Sequence, residues 1–310
     1  MTRVAVIGAG AIGGLLGARL HEAGHEVLLV ARGRRLEFLR REGVLLSENG
    51  VERRVRVRAV ESLEDESAPD HVIIATKTFQ LPGALALLTH HQAAAFGLLT
   101  VQNGVEAPHL ARLALPQASV FGARMHGFFE LEDDVVRHAG VPASVVMGPD
   151  APGFRDPEHQ RRGADLAAIL QRSAIPAELV PDVRPALWDK FLMAATIGGL
   201  APAVGLTVGQ VASDPAARAM LELAMQEVAA IAAALGIALP DDCVAAKLDF
   251  ISRFPPDVTS SLQRDLEARR PSEFAHLTGA IPRFAAHSGV PAPTADQIIE
   301  MLRARGLVPG

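Results

Sequence analysis

Three glycines near the start of the chain limit its fold more than any other feature. An apolar run of four residues ends at Ile7, and the next six residues read GAGAIG. In the spacing G-x-G-x-x-G, the glycines allow a tight turn after a strand, the close approach of a pyrophosphate and the close packing of the following helix. A second apolar run, HEVLLVAR, then completes a strand–helix–strand unit.

This unit predicts a dinucleotide-binding turn, because the amide groups at the N-terminus of a helix bind phosphate. The predicted turn consists of Gly8, Ala9, Gly10, Ala11, Ile12 and Gly13. A glycine-rich turn that binds nothing is the alternative, and the complete strand–helix–strand context disfavours it.

The residues after the second strand favour NADPH over NADH. Sites for NAD usually carry Asp or Glu at this position, where the carboxylate binds the ribose 2′-hydroxyl. This chain has Arg32 instead, followed by two more arginines within three residues. Guanidinium groups bind phosphate well, and we expect no carboxylate here that would repel the 2′-phosphate. A solvated basic loop is the alternative.

Two polar residues follow later strands of the same predicted sheet. Apolar runs at 71–76 and 96–104 predict further strands, and ligands of such sheets lie at the carboxyl ends of the strands. Lys77 follows the first of these runs, and Asn103 lies at the end of the second. A loop lysine and a turn asparagine are the alternatives to a role in a binding site.

Composition excludes several classes of protein. The formal net charge is −5 and aromatic residues make up 4% of the chain, so a surface for nucleic acid is not expected. Cys243 is the single cysteine, which excludes an intrachain disulfide and a multi-cysteine metal site. No apolar run reaches the roughly 18 residues of a membrane span. We expect a cytoplasmic protein that binds a small molecule, with no metal, no nucleic acid and no membrane as partners.

The character of the sequence changes near residue 180, where helical patterns replace strand patterns. Helices are predicted at 187–198, 214–236, 242–252, 257–269, 271–288 and 294–305. The fold class is therefore α/β, with a doubly wound, parallel Rossmann sheet in residues 1–180 and an all-helical domain in residues 181–310. The 214–236 helix is apolar on more than one face, so a homodimer is a further expectation.

Two segments of the helical half carry candidate catalytic groups. Lys190 lies among apolar residues, and a partly desolvated lysine gives up its proton more readily than a solvated one. Ser261 and Glu273 lie in the segment SSLQRDLEARRPSEF. The alternatives are a surface lysine with a buried stem, a serine at a helix N-terminus and a glutamate of a first helical turn.

Five motifs, taken in order, resemble the ketopantoate reductase family, the 2-dehydropantoate 2-reductases. They are GAGAIG, Lys77 after a strand, QNG, LWDKF and SSLQRDLEARRPSEF, and they span about residues 1–305. The resemblance implies a Rossmann domain followed by a helical domain. It also implies the NADPH-dependent reduction of a 2-oxo acid, 2-dehydropantoate (ketopantoate), to its 2-hydroxy acid in pantothenate biosynthesis.

The resemblance further implies roles for single residues. Lys190 resembles the general acid of the family. Glu273 resembles the carboxylate that binds the substrate hydroxyl and lies beside the cofactor, and Ser261 resembles the contact to the substrate carboxylate. Arg32 resembles the 2′-phosphate ligand, while Lys77 and Asn103 resemble residues around the nicotinamide and the substrate.

Four positions depart from the family pattern on the substrate side. Ala194 and Gly198 stand where the family has asparagines, and Ala275 and Thr278 stand where it tends to have Asp and Asn. These changes predict a larger, more apolar pocket and hence a preference for a 2-oxo acid other than ketopantoate. Two alternatives stay open, a dehydrogenase for another carbonyl or an imine, and a non-catalytic NADPH-binding sensor. The retained candidate catalytic residues disfavour the sensor.

Overall fold

The structure, a computed structural model, describes residues 1–91, 94–151 and 156–309. These residues form two compact units. The first unit contains Met1–Gln102 and Glu106–Arg184, and the second contains Asn103–Val105 together with the chain from Pro185 onward.

The first unit is built on one sheet, which has ten strands within the described residues. The strands are β1 (Arg3–Ile7), β2 (Glu26–Val30), β3 (Val44–Glu48), β4 (Val51–Val55), β5 (Arg58–Val60), β6 (His71–Ile74), β7 (Gly97–Thr100), β8 (Ser119–Glu132), β9 (Val135–Gly148) and β10 (Ala177–Leu179). Their order is β4-β3-β9-β8-β7-β6-β1-β2-β5, and β10 pairs with β9.

The centre of this sheet is parallel. β1 lies between β2 and β6, and β7 and β8 continue the parallel pairing. Side chains of β1 alternate between two core clusters, with Val4 and Val6 in one and Ala5 and Ile7 in the other, so the strand is buried on both faces. The predicted Rossmann sheet is confirmed, and two antiparallel hairpins, β3–β4 and β8–β9, extend it.

Five helices accompany the sheet in the described part of the first unit. They are α1 (Ala11–Glu22), α2 (Gly33–Glu42), α3 (Leu81–Ala86), α4 (Ala107–Ala114) and α5 (Pro157–Arg172). Residues 149–160 are rich in proline and charged residues, a pattern that predicts a loop. The loop is shorter than this, because Asp156 accepts a hydrogen bond from the Glu158 N–H and α5 begins at Pro157. Residues 152–155 of that loop lie outside the described residues.

The second unit is helical. Its helices are α6 (Arg184–Val204), α7 (Val208–Ser213), α8 (Pro215–Ala234), α9 (Cys243–Ser252), α10 (Ser261–Glu267), α11 (Ile281–Ser288) and α12 (Pro293–Ala304). None of the described helices is long and apolar enough to cross a membrane. The homodimer expected from the helix now called α8 stays a prediction.

Two helices of the second unit are shorter than the sequence predicted. The helix expected at 257–269 begins only after Ser260, whose hydroxyl oxygen accepts a hydrogen bond from the Gln263 N–H at 3.0 Å. Two 3-10 turns, Phe274–His276 and Thr278–Ala280, replace the first part of the helix expected at 271–288. Between them Leu277 has φ −117° and ψ −107°, which are not helical values, so no continuous helix precedes α11.

Candidate active site

The glycine turn of the first unit has the geometry that a phosphate-binding loop needs. Gly8 has φ +99°, and a Cβ there would lie 2.8 Å from the Thr76 backbone nitrogen. A Cβ at Gly13 would lie 1.8 Å from the Gly8 carbonyl oxygen, so only glycine lets α1 pack this closely on β1. A Cβ at Gly10 would meet no heavy atom within 4 Å. Open space therefore lies beside Gly10, where α1 begins.

A dinucleotide phosphate fits this turn. No side chain caps the N-terminus of α1, and no acidic residue lies in its first turn. The Thr76 hydroxyl beside Gly8 is buried and has no hydrogen-bond partner among the described residues. Amide groups at a helix N-terminus and an unpaired hydroxyl are both suited to an anionic oxygen.

The three arginines after β2 do not form one cluster. Arg32 precedes α2 in an extended conformation, and its exposed side chain makes no hydrogen bond or ion pair with the described residues. Arg34 and Arg35 instead bind Asp134 of the β8–β9 turn, at 3.0 and 3.2 Å. Partial burial opposes the effect, but the hydrogen bonds from Arg34 and Arg35 hold the pKa of the Asp134 carboxyl below its usual range. The expectation that no carboxylate lies beside these arginines is therefore wrong, since a residue about 100 positions away supplies one.

Lys77 lies further from its strand than predicted, because β6 ends at Ile74. Its backbone N–H donates a hydrogen bond to Gln80 Oε1 at 3.2 Å, and a 3-10 turn over Thr78–Gln80 follows. The side chain of Lys77 is half-buried at the carboxyl end of the strand.

Asn103 and Glu273, 170 residues apart, are joined by a hydrogen bond in the second unit. Asn103 Nδ2 donates to Glu273 Oε2 at 3.1 Å, and Glu273 is 4% exposed. The next residue, Gly104, has φ +91°, and a Cβ there would lie 2.9 Å from the His276 carbonyl oxygen. The segment after β7 therefore approaches the Glu273 turn closely, as only glycine permits. Glu273 is therefore a buried carboxylate whose position is fixed by the Asn103 amide.

Lys190 lies on α6, half-buried beside an aromatic cluster. Trp188, Phe191 and Phe284 pack with ring centroids 5.1–5.7 Å apart. The preceding residue, Asp189, accepts from Lys247 Nζ of α9 at 2.6 Å, which ties the two helices together. These contacts hold the part of α6 that carries Lys190.

The same face of α6 that carries Lys190 leads to the start of α10. Lys190, Ala194 and Gly198 follow each other at intervals of four residues, so they share one face. A Cβ at Gly198 would lie 3.2 Å from Leu262 Cδ2 and 3.6 Å from Ser260 Oγ. Because Leu262 occupies this space, the expectation of an enlarged pocket is wrong at Gly198.

The adjacent face of α6 contacts the 3-10 turns after Glu273. The Thr278 hydroxyl donates to the Ala195 carbonyl oxygen at 2.6 Å, and a Cβ at Gly199 would lie 2.5 Å from Thr278. Thr278 is fully buried, while Ala275 is exposed. The helix of Lys190 therefore packs against both segments that carry the other candidate residues.

The two serines at the start of α10 have separate roles. Ser260 caps the helix, whereas the exposed side chain of Ser261 makes no hydrogen bond with the described residues. Gln263, which the sequence reasoning did not single out, is 2% exposed and donates to the Leu206 carbonyl oxygen at 2.9 Å. Gln263 thus ties α10 to the segment just after α6, and Ser261 stays exposed at the start of the helix.

Comparison with known proteins decides the family. The family described as Ketopantoate reductase PanE/ApbA matches residues 4–152, and its C-terminal family matches residues 182–306. The chain belongs to the ketopantoate reductase family. The recognition made from the five motifs is confirmed, and so is the prediction of an oxidoreductase.

Curated relatives match the sequence of this chain over all or nearly all of its length. The 2-dehydropantoate 2-reductase of Mycobacterium tuberculosis (strain ATCC 25618 / H37Rv) is 29% identical over 100% of this chain and 99% of the relative. That of Mesorhizobium japonicum is 28% identical over 97% of each chain. These identities are modest, so they support the type of reaction more firmly than the substrate.

Solved structures share the fold. A PanE/ApbA family ketopantoate reductase from Ralstonia eutropha JMP134 has a TM-score of 0.85 and 30% identity, over 97% of each chain. The structure of D-mandelate dehydrogenase with NADH and anilino(oxo)acetate has a TM-score of 0.83 at 23% identity, over 98% of this chain and 99% of that chain. The second likeness concerns the fold alone.

Proposed function

We propose that this protein uses NADPH to reduce ketopantoate to pantoate, a 2-oxo acid to its 2-hydroxy acid, in pantothenate biosynthesis. The observation that carries the proposal is the hydrogen bond between Asn103 and the buried Glu273. This pair belongs to the same unit as Lys190 and Ser261, in a chain of the ketopantoate reductase family. A protein that only binds a dinucleotide has no need of a buried carboxylate–amide pair in its helical unit.

Each candidate residue has a task in this reaction. When bound, the reduced nicotinamide supplies a hydride for the carbonyl carbon of the substrate. Lys190, as an ammonium group, stabilises the negative charge on the carbonyl oxygen and donates the proton that completes the hydroxyl. Solvent then returns a proton to the Lys190 amine.

The remaining residues bind and orient. Glu273, held by Asn103, accepts a hydrogen bond from a substrate hydroxyl, and Ser261 donates one to the substrate carboxylate. Lys77 adds a positive charge for the anionic ligands. Arg32 binds the 2′-phosphate, because its side chain has no partner among the described residues whereas its two neighbours are engaged with Asp134.

The test is the loss of nicotinamide absorbance with ketopantoate and a graded set of more apolar 2-oxo acids, with NADPH and NADH compared. We expect turnover with NADPH and ketopantoate. Turnover of another 2-oxo acid but not of ketopantoate would change the assigned substrate, in the direction that the departures at Ala194, Ala275 and Thr278 suggest. If no 2-oxo acid is turned over by a protein that still binds NADPH, the proposed reaction is refuted, and an imine substrate or a sensor is favoured.

A further inference from the structure

Arg35 is one of two arginines after β2 that have no role in the proposed reaction. It lies in the first turn of α2, and 15% of its side chain is exposed, against 86% for Arg34 beside it. From the sequence it is only one member of a basic segment suited to phosphate. Its bonds in the structure give it a different task.

The guanidinium group of Arg35 joins two distant turns of the first unit. Arg35 Nε donates to the Ala9 carbonyl oxygen at 2.9 Å, inside the glycine turn. Arg35 Nη1 donates to the Asp134 backbone oxygen at 3.0 Å and to Asp134 Oδ1 at 3.2 Å. A planar guanidinium can serve two acceptors with fixed relative directions, which a lysine cannot do.

Asp134 is itself held in a defined place. It is the second residue of the two-residue turn between β8 and β9, and both turn residues have positive φ, 49° for Asp133 and 64° for Asp134. Such values at both positions are typical of a tight hairpin turn. The following strand packs on α1, since a Cβ at Gly14 would lie 2.8 Å from Val136 Cγ2. The hairpin end is therefore a firm anchor beside the first turns of α1.

The Arg35 guanidinium sets the orientation of the Ala9–Gly10 peptide in the glycine turn. In a trans peptide the C=O and the N–H point in opposite directions, so fixing the Ala9 carbonyl also fixes the N–H of Gly10. Gly10 is the residue beside which the open space lies. The bond from Arg35 thus turns the Gly10 N–H away from the guanidinium group and keeps it in one orientation.

We infer that Arg35 and Asp134 form a brace that positions the glycine turn for the part of the cofactor common to NADPH and NADH. Arg35 is a positioning residue in this account, because its bonds go to protein atoms and orient the Gly10 amide. The inference rests on the proposed function in one respect, that the glycine turn binds a nicotinamide dinucleotide.

The brace makes a prediction that differs from that for a phosphate ligand. Loss of the brace should weaken the binding of NADPH and of NADH by the same factor, because both cofactors carry the pyrophosphate. Loss of a 2′-phosphate ligand should weaken NADPH alone. The alternative is that Arg35 binds the 2′-phosphate directly through Nη2, which is buried and has no hydrogen-bond partner among the described residues.

The experiment compares Arg35→Gln, Arg35→Lys, Asp134→Gly and the double variant Arg35→Gln/Asp134→Gly with the unchanged protein. Glycine at position 134 removes the carboxylate without backbone strain at positive φ. Arg161→Gln, which breaks two exposed ion pairs on α5, is the matched control. The dissociation constants of NADPH and NADH are measured by fluorescence titration, and kcat and KM are measured with saturating 2-oxo acid.

We expect Arg35→Gln to raise both dissociation constants by the same factor, about tenfold, as for the loss of a charge-assisted hydrogen bond. The KM for NADPH should rise while kcat at saturation stays unchanged, which a general loss of stability would not produce. The double variant should bind no worse than Arg35→Gln, and Arg35→Lys should fall between Arg35→Gln and the unchanged protein.

A loss confined to NADPH would overturn the brace and make Arg35 a phosphate ligand. Unchanged binding of both cofactors in Arg35→Gln, or additive losses in the double variant, would overturn it as well. If Arg35→Gln does not fold, Asp134→Gly and Arg35→Lys decide by the same criteria. An unchanged protein that binds neither dinucleotide would contradict the proposed function instead, so the two failures are distinguishable.

Discussion

His71 should make the folded protein lose stability in mild acid. It begins β6, is 4% exposed, and its Nδ1 is buried without a hydrogen-bond partner among the described residues. Burial lowers the pKa of His71 from 6.5 to about 4, although Asp165 and Asp70 oppose the shift. The folded state therefore binds a proton less readily than the unfolded state.

The direction and size of this loss of stability follow from the difference in the His71 pKa between the folded and the unfolded state. Because the pKa is lower in the folded state, the contribution of His71 to stability is complete above pH 6.5 and is lost as the pH falls towards 4. The full difference corresponds to about 3 kcal/mol. Between pH 7.5 and pH 5 the loss is about 2 kcal/mol. His159 has a pKa lowered to about 4 by burial and adds a similar loss of its own.

The variant His71→Leu removes the titrating group and keeps the buried volume nearly constant. Urea unfolding at pH 7.5 and pH 5 should show a loss of stability about 2 kcal/mol smaller than in the unchanged protein. Far-UV circular dichroism is the suitable probe, because the single Trp lies in the other unit. His90→Gln is the control, since 57% of the His90 side chain is exposed. An equal loss in His71→Leu and in the unchanged protein would refute the reasoning.

Three further predictions concern the site. Arg32→Ala should weaken NADPH binding roughly tenfold or more and leave NADH binding unchanged, because one charge-assisted phosphate contact is lost; the two titrations compared directly check this. Lys190→Ala should lower kcat by roughly two to four orders of magnitude while the NADPH dissociation constant stays the same, as for the loss of a general acid. Gly104→Ala, at φ +91° and 2.9 Å from the His276 oxygen, should displace Asn103 from Glu273 and lower kcat/KM for the 2-oxo acid. An active Gly104→Ala enzyme with unchanged kcat/KM would show that the Asn103–Glu273 bond does not matter.

The parallel centre of the sheet was predictable from the sequence because its strands are short apolar runs buried on both faces. The glycine motif added the position of the first turn. Strands β4 and β5, with the sequences VERRV and RAV, carry charged side chains and a mostly exposed surface, so no apolar pattern marks them. Their place in the sheet depends on pairing with β3 and β2, which a single sequence does not reveal.

The candidate site was predictable residue by residue but not as a set of contacts. Asn103 was a candidate from its place after a strand, and Glu273 followed from the family resemblance, yet nothing in the sequence says that they bond to each other across 170 positions. The same holds for Arg35 and Asp134, whose contact depends on a hairpin turn that the sequence reasoning did not assign. Contacts between distant segments are set by packing, and local patterns carry no record of them.

The most direct test of the account follows the transferred hydrogen. The protein is incubated with ketopantoate and NADPH that carries deuterium at the transferred position of the nicotinamide, and the product is analysed by mass spectrometry. We expect pantoate with one deuterium bound to C2, and we expect Lys190→Ala to form the same labelled product roughly two to four orders of magnitude more slowly. Consumption of NADPH without deuterium at C2, or labelled product from Lys190→Ala at the full rate, would contradict the account.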